Sequence, residues 1–534
     1  MPTLPPIVRR AAVPCLAVVL VAGGAVAASR EDLAPAALFD QVLTTVAARF
    51  YDATDTTDLY ERAARGLVHE LGDPYSELLT PEDLRGFAQS TLGRYGGVGM
   101  LLLPVGDTVF VERVYPNTPS ARAGFRTGDR LVGVDGTATA GLPVAKVSDL
   151  LRGEPGSTVG VTVRRDGTAA PLAARLERAV VRLPVVPYTL MLDGAIAYVP
   201  LTGFSETAGA ETQRALAQAA GAGARGVILD LRGNPGGSVE EALRVANAFL
   251  PPAVPVLRIV ERDRSLLIRT EAQPVSVELP LVVLQDEGSA SASEIVSGAL
   301  QDQDRALVVG TTSFGKGLAQ SLFPLDGGYA LKMTTSTWYT PSGRSIHKQR
   351  TAADSARRWD ADGPTADSLE THAETRSRPQ YRSRGGRVLY GGGGITPDVV
   401  VPADTLTTPE QEVARLLATP AGTTATVLSG YALELSRTVR PGFAVTPAWR
   451  DEFFRRLSAA GVRVRRAQFD AAGRYVSRLL ELRVAQLAFG DAEAKRRDLA
   501  VDSQLEAASE LLRAARTQRA LFEAGAAWHA AHPG

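Results

Sequence analysis

A serine at the start of a helix and a lysine held between two glycines lie within one stretch, residues 285–320 (QDEGSASASEIVSGALQDQDRALVVGTTSFGKGLAQ). Residues 280–285 (PLVVLQ) and 306–310 (ALVVG) are short apolar runs of strand type, and 292–301 repeats apolar residues at helical spacing. The stretch therefore reads strand, tight turn, helix, strand. Ser291 falls where the turn becomes the helix, so the amide of Ala292 and the positive end of the helix dipole would face an oxyanion formed at its hydroxyl. Ser291 with Glu294 three residues on is also a capping box, which satisfies helix amides and requires no catalysis. Lys316, in Phe314-Gly315-Lys316-Gly317, shifts the balance toward chemistry. Flanking glycines suit a close backbone approach better than a solvated surface charge, and an amine held in an apolar pocket can accept a hydroxyl proton near neutrality.

Taken together, Ser-Ala-Ser-Ala-Ser-Glu-Ile (residues 289–295), Asp304-Arg305-Ala306, Val309-Gly310, Phe314-Gly315-Lys316-Gly317 and Gln320 resemble, in order and spacing, the central signature of the carboxyl-terminal processing peptidases, also called tail-specific proteases. The resemblance implies a Ser/Lys-dyad serine peptidase with Ser291 as nucleophile, Lys316 as general base and Gln320 helping to position the lysine. It implies a crotonase-like α/β core. Two departures stand out: Asp286-Glu287 where the family usually has Asn before the first Gly, and Thr311-Thr312-Ser313 where it has Glu-x-Thr.

A phosphate-binding loop competes for the same residues, since Gly310-x-x-x-x-Gly315-Lys316 follows a strand. That loop needs Ser or Thr next, to hold magnesium, and then a helix. Here Gly317 follows, and LAQSLFPLDGG breaks within a few residues.

The elements that must position the dyad occupy a chain of 534 residues, enough for three or four domains, with 45% hydrophobic and 22% charged residues. Lys plus Arg equals Asp plus Glu at 58 each, so no global field favours nucleic acid or an anionic membrane. Arg9-Arg10, an uncharged apolar run over 11–28 and Ala25-Val26-Ala27 form the pattern of a secretory signal peptide, residues 1–28; an uncleaved anchor is the alternative. The expected location is the bacterial periplasm or cell envelope. Cys15, the one cysteine, lies inside that run, so the mature chain has no thiol nucleophile or disulfide. His69, His347, His372, His529 and His532 show no pair at metal-ligand spacing, and neither metal nor cofactor is expected. His347 and His372 are expected on the surface.

In chain order, the fold expected is multidomain α/β. Residues 34–92 form an N-terminal helical unit, in which Leu71 to Ser76 resembles the family's Leu-Asp-Pro-His-Ser segment in a shifted match and is taken as structural. Residues 93–178 form short strands with Gly-containing turns and resemble a PDZ domain. The resemblance implies that Gly97, Val98 and Gly99 form the carboxylate-binding loop, with the following strand accepting a peptide by β-augmentation. Residues 182–348 and 391–403 alternate strand and helix as a peptidase core. Its Gly-rich turn, Arg232-Gly233-Asn234-Pro235-Gly236-Gly237, aims amides outward from the end of a strand; the family resemblance gives one of its glycines the second oxyanion-hole amide beside Ala292, and spacing leaves Gly236 and Gly237 both open. An insertion rich in Arg, Ser, Asp and Thr spans 349–390, and a helical extension spans 408–534. Its amphipathic helices suit either packing on a domain or oligomerisation. The function expected is an exported serine endopeptidase that cuts unfolded or tail-exposed proteins, its partners being peptide chains with accessible C-termini. The alternative is a non-catalytic PDZ scaffold that binds peptide ends.

Overall fold

The structure is a computed structural model and describes residues 33–271, 273–275, 278–348, 377–418 and 422–531. The expected signal peptide, most of the insertion, His372 and His532 lie outside those residues.

The chain opens with helices α1 (Leu33–Arg49) and α2 (Thr56–His69), strand β1 (Glu77–Leu79) and helix α3 (Pro81–Leu92). Asp55 caps α2, its side chain accepting from Thr57 and Asp58, and a Thr80–Asp83 capping box with Pro81 in the first turn starts α3. Gly93 ends α3 in the left-handed conformation.

Strand β2 (Arg94–Gly97) then leads into a small β domain: β3 (Met100–Val105), β4 (Thr108–Val114), α4 (Pro119–Arg122), β5 (Arg130–Val134), β6 (Thr137–Ala138), α5 (Val144–Leu151), β7 (Thr158–Arg164) and β8 (Leu172–Glu177). The chain leaves through β9 (Ala179–Arg182), which pairs antiparallel with β2, Gly97 opposite Ala179 and Arg94 opposite Arg182. Entry and exit are thus one ladder. The sheet runs β3-β4-β5-β7-β8, with β6 on β5, and its alternating Val and Leu side chains close a core of their own. Strand β3 is an edge of that sheet.

The catalytic candidates lie in the next domain. It comprises β10 (Leu190–Leu192), β11 (Ile196–Pro200), α6 (Ala208–Gly221), β12 (Gly226–Asp230), α7 (Val239–Asn247), β13 (Pro255–Val260), β14 (Ser265–Arg269), β15 (Leu281–Gln285), α8 (Ala292–Asp302), β16 (Leu307–Gly310), β17 (Leu318–Pro324), β18 (Ala330–Tyr339), β19 (Gln380–Arg382), β20 (Val388–Tyr390) and β21 (Val399–Val400). Its main sheet has the order β10-β11-β12-β15-β16-β21 and is parallel from β11 onward. The strands β11, β12, β15 and β16 are buried throughout, as strands covered on both faces must be. A second sheet, β1-β18-β13-β14 with β17 also on β18, draws the N-terminal unit in through β1.

The remaining helices are α9 (Thr408–Ala418), α10 (Thr423–Ser436), α11 (Pro447–Ala459), α12 (Arg466–Ala471), α13 (Gly473–Phe489), α14 (Asp491–Asp498), α15 (Ser503–Ala514) and α16 (Gln518–Ala531). Helices α6, α7 and α8 cover one face of the main sheet; α15 and α16 cover the other, with Leu505, Leu511, Leu512 and Leu521 buried against Ile228, Val282, Leu284 and Val309. The last two helices therefore belong to the peptidase core by packing. Helices α9 to α13 enclose a separate core around Phe453, Leu457, Phe469 and Val476.

Candidate active site

Strand β15 delivers the chain to a turn at 286–290, and Ser291 follows with φ 55° and ψ −110°, a conformation that non-glycine residues seldom hold without a functional reason. Its hydroxyl is buried and has no hydrogen-bond partner among the described residues. Only one half of the expected capping box is therefore in use: Glu294 Oε2 accepts from the Ser291 N–H at 2.8 Å, while the hydroxyl is left to other work.

Glu294 does more than cap. The same Oε2 accepts from the backbone N–H of Lys316 at 2.9 Å, and Oε1 accepts from Gly315 N–H and Ser313 Oγ, each at 2.6 Å. One buried carboxylate thus ties the serine turn to the lysine loop. Burial pushes its carboxyl above the ordinary range, and the donors from Ser313, Lys316, Gly315 and Ser291 pull the other way. Ser313, one of the departures from the family pattern, also accepts from Ile395 N–H at 2.7 Å, closing the lysine loop against the chain that returns after the insertion.

Lys316 is 0% exposed, as is Ser291. Its two glycines make room for a tight layer behind it. A Cβ on Gly315, at φ 89°, would lie 3.0 Å from Lys348 Cβ, and one on Gly317 would lie 3.0 Å from His347 Cβ. His347 is accordingly a half-buried neighbour of the lysine loop rather than a surface residue. Strand β17 begins at Leu318, so the chain after Lys316 is extended where a phosphate-binding loop needs a helix. Gln320, on β17, donates from Nε2 to Thr334 Oγ1 at 3.1 Å, and its Oε1 is buried without a partner among the described residues.

The Gly-rich turn after β12 meets the serine turn directly. Asn234 O accepts from Ala290 N–H at 3.1 Å and from Ser293 Oγ at 2.8 Å. The Gly236 N–H is already bonded to Asn234 Oδ1 at 2.9 Å. Neither the Gly237 nor the Ala292 N–H makes a hydrogen bond among the described residues. Gly237 has φ 141°, and a Cβ there would lie 2.5 Å from Phe204 O, so only glycine fits. Arg232 of the same motif pairs with Asp230 and Asp502 at 2.7 Å each.

Two residues beside the candidate pair Ser291 and Lys316 carry little sequence signal. Tyr75, in the segment expected to be only structural, is 4% exposed and lays its ring 4.7 Å from Lys316 Nζ. Asp286 accepts from Gly233 N–H at 2.8 Å and Gly288 N–H at 2.9 Å through a single oxygen, joining the two turns. The Asp-Pro-Tyr-Ser string was the available pointer to Tyr75, but nothing in it indicates a partner so distant in sequence.

In the β domain, Val98 is buried, its carbonyl accepting from Ser120 N–H at 3.0 Å and Oγ at 2.7 Å, and Gly99 presses on Thr118. Gly97 ends β2. The Val98 and Gly99 N–H groups form no hydrogen bond among the described residues. Among the described residues there is no cluster of three or more His, Cys, Asp or Glu able to hold a metal, and no helix long and apolar enough to cross a membrane.

A sequence model described as peptidase family S41 matches residues 195–356, and one described as a PDZ domain matches 110–165. A carboxy-terminal-processing protease of Bartonella bacilliformis is 34% identical over 316 residues, covering 58% of this chain and 72% of that protein. This chain belongs to that family. It is a serine-type peptidase of family S41, multidomain α/β in fold, and carries a PDZ domain. The carboxy-terminal processing protease CtpA of Bacillus subtilis is 30% identical over 300 residues, covering 56% of this chain and 64% of that protein. Among solved structures, a photosystem II D1 C-terminal processing protease is 29% identical, covers 60% of this chain and 91% of its own, and has a TM-score of 0.34. Membership in S41 tells against the non-catalytic scaffold.

Proposed function

We propose that this S41 peptidase is exported and cleaves unfolded or tail-exposed polypeptides by a Ser291/Lys316 dyad, with its PDZ domain capturing their C-termini. The observation that carries this reading is the shared carboxylate oxygen of Glu294, which bonds the backbone amides of both dyad residues, together with the unpartnered Ser291 hydroxyl.

Lys316, in the neutral form that complete burial favours, takes the proton from Ser291 Oγ as that oxygen bonds to the scissile carbonyl carbon. The carbonyl oxygen becomes an oxyanion facing the N–H groups of Ala292 and Gly237. Gly236 drops out of that role because its N–H is taken by Asn234. As the tetrahedral intermediate collapses, the C–N bond breaks and the leaving amine receives the proton from the Lys316 ammonium. Water then attacks the acyl ester, gives a proton to Lys316, and Ser291 leaves with it. Gln320, its Nε2 fixed by Thr334, presents Oε1 to orient the amine. In the PDZ domain the N–H groups of Val98 and Gly99 would hold a terminal carboxylate, and the edge strand β3 would pair with the peptide behind it.

The test is cleavage of one unfolded polypeptide prepared with a free and with an amidated C-terminus. The expected result is a KM several-fold lower for the free carboxylate and no cleavage of either by Ser291→Ala. Equal KM values would remove the tail-capture part, and cleavage by Ser291→Ala would remove the nucleophile.

A further inference from the structure

The N-terminal helical unit reaches the active site at one point. Between α2 and β1 the chain folds back on Asp73, whose Oδ1 accepts from Tyr75 N–H at 3.2 Å and whose Oδ2 accepts from Ser76 Oγ at 2.5 Å. Ser76 Oγ in turn accepts from Thr334 N–H at 3.0 Å, and β1 pairs with β18 with Glu77 opposite Lys332. Thr334 is the residue that fixes Gln320, and β17, which pairs with β18, starts two residues after Lys316. Tyr75 is therefore held by its backbone neighbours to the same strand pair that holds the base. Its ring centroid lies 4.7 Å from Lys316 Nζ, both side chains being buried.

We infer that Tyr75 is a positioning residue for the base: its ring face seats the Lys316 amine and seals it from water, so the N-terminal unit completes the active site. This rests on Lys316 being the base. The ring acts in two opposed ways. Its negative face stabilises the ammonium, while its bulk excludes water and stabilises the neutral amine. Substitution separates them.

Among the described residues, the other charged or titratable groups around the loop are unchanged by a substitution at Tyr75. Glu294 on α8 bonds the Lys316 amide, His347 and Lys348 back onto Gly317 and Gly315, and Lys332 on β18 pairs with Glu77 near Asp73. Any movement of the pH profile is then attributable to the ring.

The experiment is the pH profile of kcat/KM for the full chain and for Tyr75→Phe, Tyr75→Leu and Tyr75→Ala, with folding checked by circular dichroism. Tyr75→Phe keeps the ring and should superpose on the unsubstituted protein. Tyr75→Leu stays dry without a π face, and its acid limb should move about 0.4 to 1.5 pH units lower. Tyr75→Ala admits water, so its limb should move higher and kcat should fall at least about tenfold. Should Tyr75→Ala fail to fold, Tyr75→Leu, closer in volume, decides alone. Coincidence of the Tyr75→Leu profile with that of the unsubstituted protein overturns the inference, as does an equal loss in Tyr75→Phe, which would point to the hydroxyl. Lys316→Ala runs in parallel. If it stays active, the dyad reading falls; if it is inactive while the Tyr75 profiles coincide, only this inference falls.

Discussion

Asp286 gathers two backbone amides, from Gly233 and Gly288, onto one partly buried carboxylate oxygen, and burial pushes its carboxyl up from 3.8 to about 6, with Glu287 adding to the rise. A folded value above the unfolded one means that the folded chain holds the proton more tightly. Stability is then lost as pH climbs from about 4 to about 6, and the loss stays above that range. Asp286→Asn keeps an oxygen for both amides and removes the charge. It should melt at the same temperature as the unsubstituted protein near pH 4 and a few degrees higher above pH 7, corresponding to about 1–2 kcal/mol once partial exposure is discounted. Melting curves at the two pH values check this, and a difference that does not vary with pH would contradict it. Ser291 and Lys316 were legible in the sequence because their signal is local: a serine at a helix start and glycines on both sides of a lysine. Glu294 was legible only as a cap, because the bonds it accepts from Ser313, Gly315 and Lys316 close a loop that no helical or strand periodicity encodes. Tyr75 was illegible for the same reason, at greater sequence distance.

Helix α8 is buried along its whole length, and it aims Ser291 correctly only if its far end is fixed as well. That anchor is Asp302. Its Oδ1 accepts from Arg344 Nη2 at 2.7 Å and its Oδ2 from Ser342 N–H at 2.8 Å, while Arg344 also donates to Gln301 Oε1 at 2.6 Å and Tyr390 O at 2.9 Å. Both charges are buried. Asp302→Ala strands the guanidinium and should cost about 3–5 kcal/mol in urea unfolding, with kcat falling as α8 loses its tether. Asp302→Asn, whose single carbonyl oxygen keeps an acceptor for Arg344 while its NH2 group replaces the acceptor used by Ser342 N–H, should cost less than Asp302→Ala; equal stability of Asp302→Ala and the unsubstituted protein would contradict the anchor. Most elements here could be read from period and punctuation, since the buried strands β12, β15 and β16 are continuous apolar runs and the helices repeat at 3.6. The choice between Gly236 and Gly237 could not, because it turns on which N–H the Asn234 side chain occupies.

At the scale of the molecule, among the described residues the PDZ domain is held by the β2–β9 ladder and by a face of the C-terminal helices, where Arg483 meets Glu112 at 2.6 Å, Asp491 meets Arg113 at 2.6 Å, and Gly430 lies under Val105 at the end of β3. In this arrangement Ser291 has no solvent exposure, so the proposed dyad requires a substrate to displace something before it meets the serine. Glu112→Arg should loosen the docking and raise turnover of a short untailed peptide several-fold, and adding Arg483→Glu should restore the original rate. Unchanged turnover in the single variant would show that docking does not limit access. The amphipathic C-terminal helices left two roles open, and covering the second face of the main sheet is the one α15 and α16 fulfil. The account as a whole stands on a lysine acting as base toward Ser291, and the most direct measurement is kcat/KM on one unfolded substrate for Lys316→Arg, Lys316→Ala and His347→Ala, each shown to be folded. The account predicts no turnover in either lysine variant, since guanidinium cannot give up its proton, and near-normal turnover in His347→Ala. Activity retained in Lys316→Ala, or lost in His347→Ala, would contradict it.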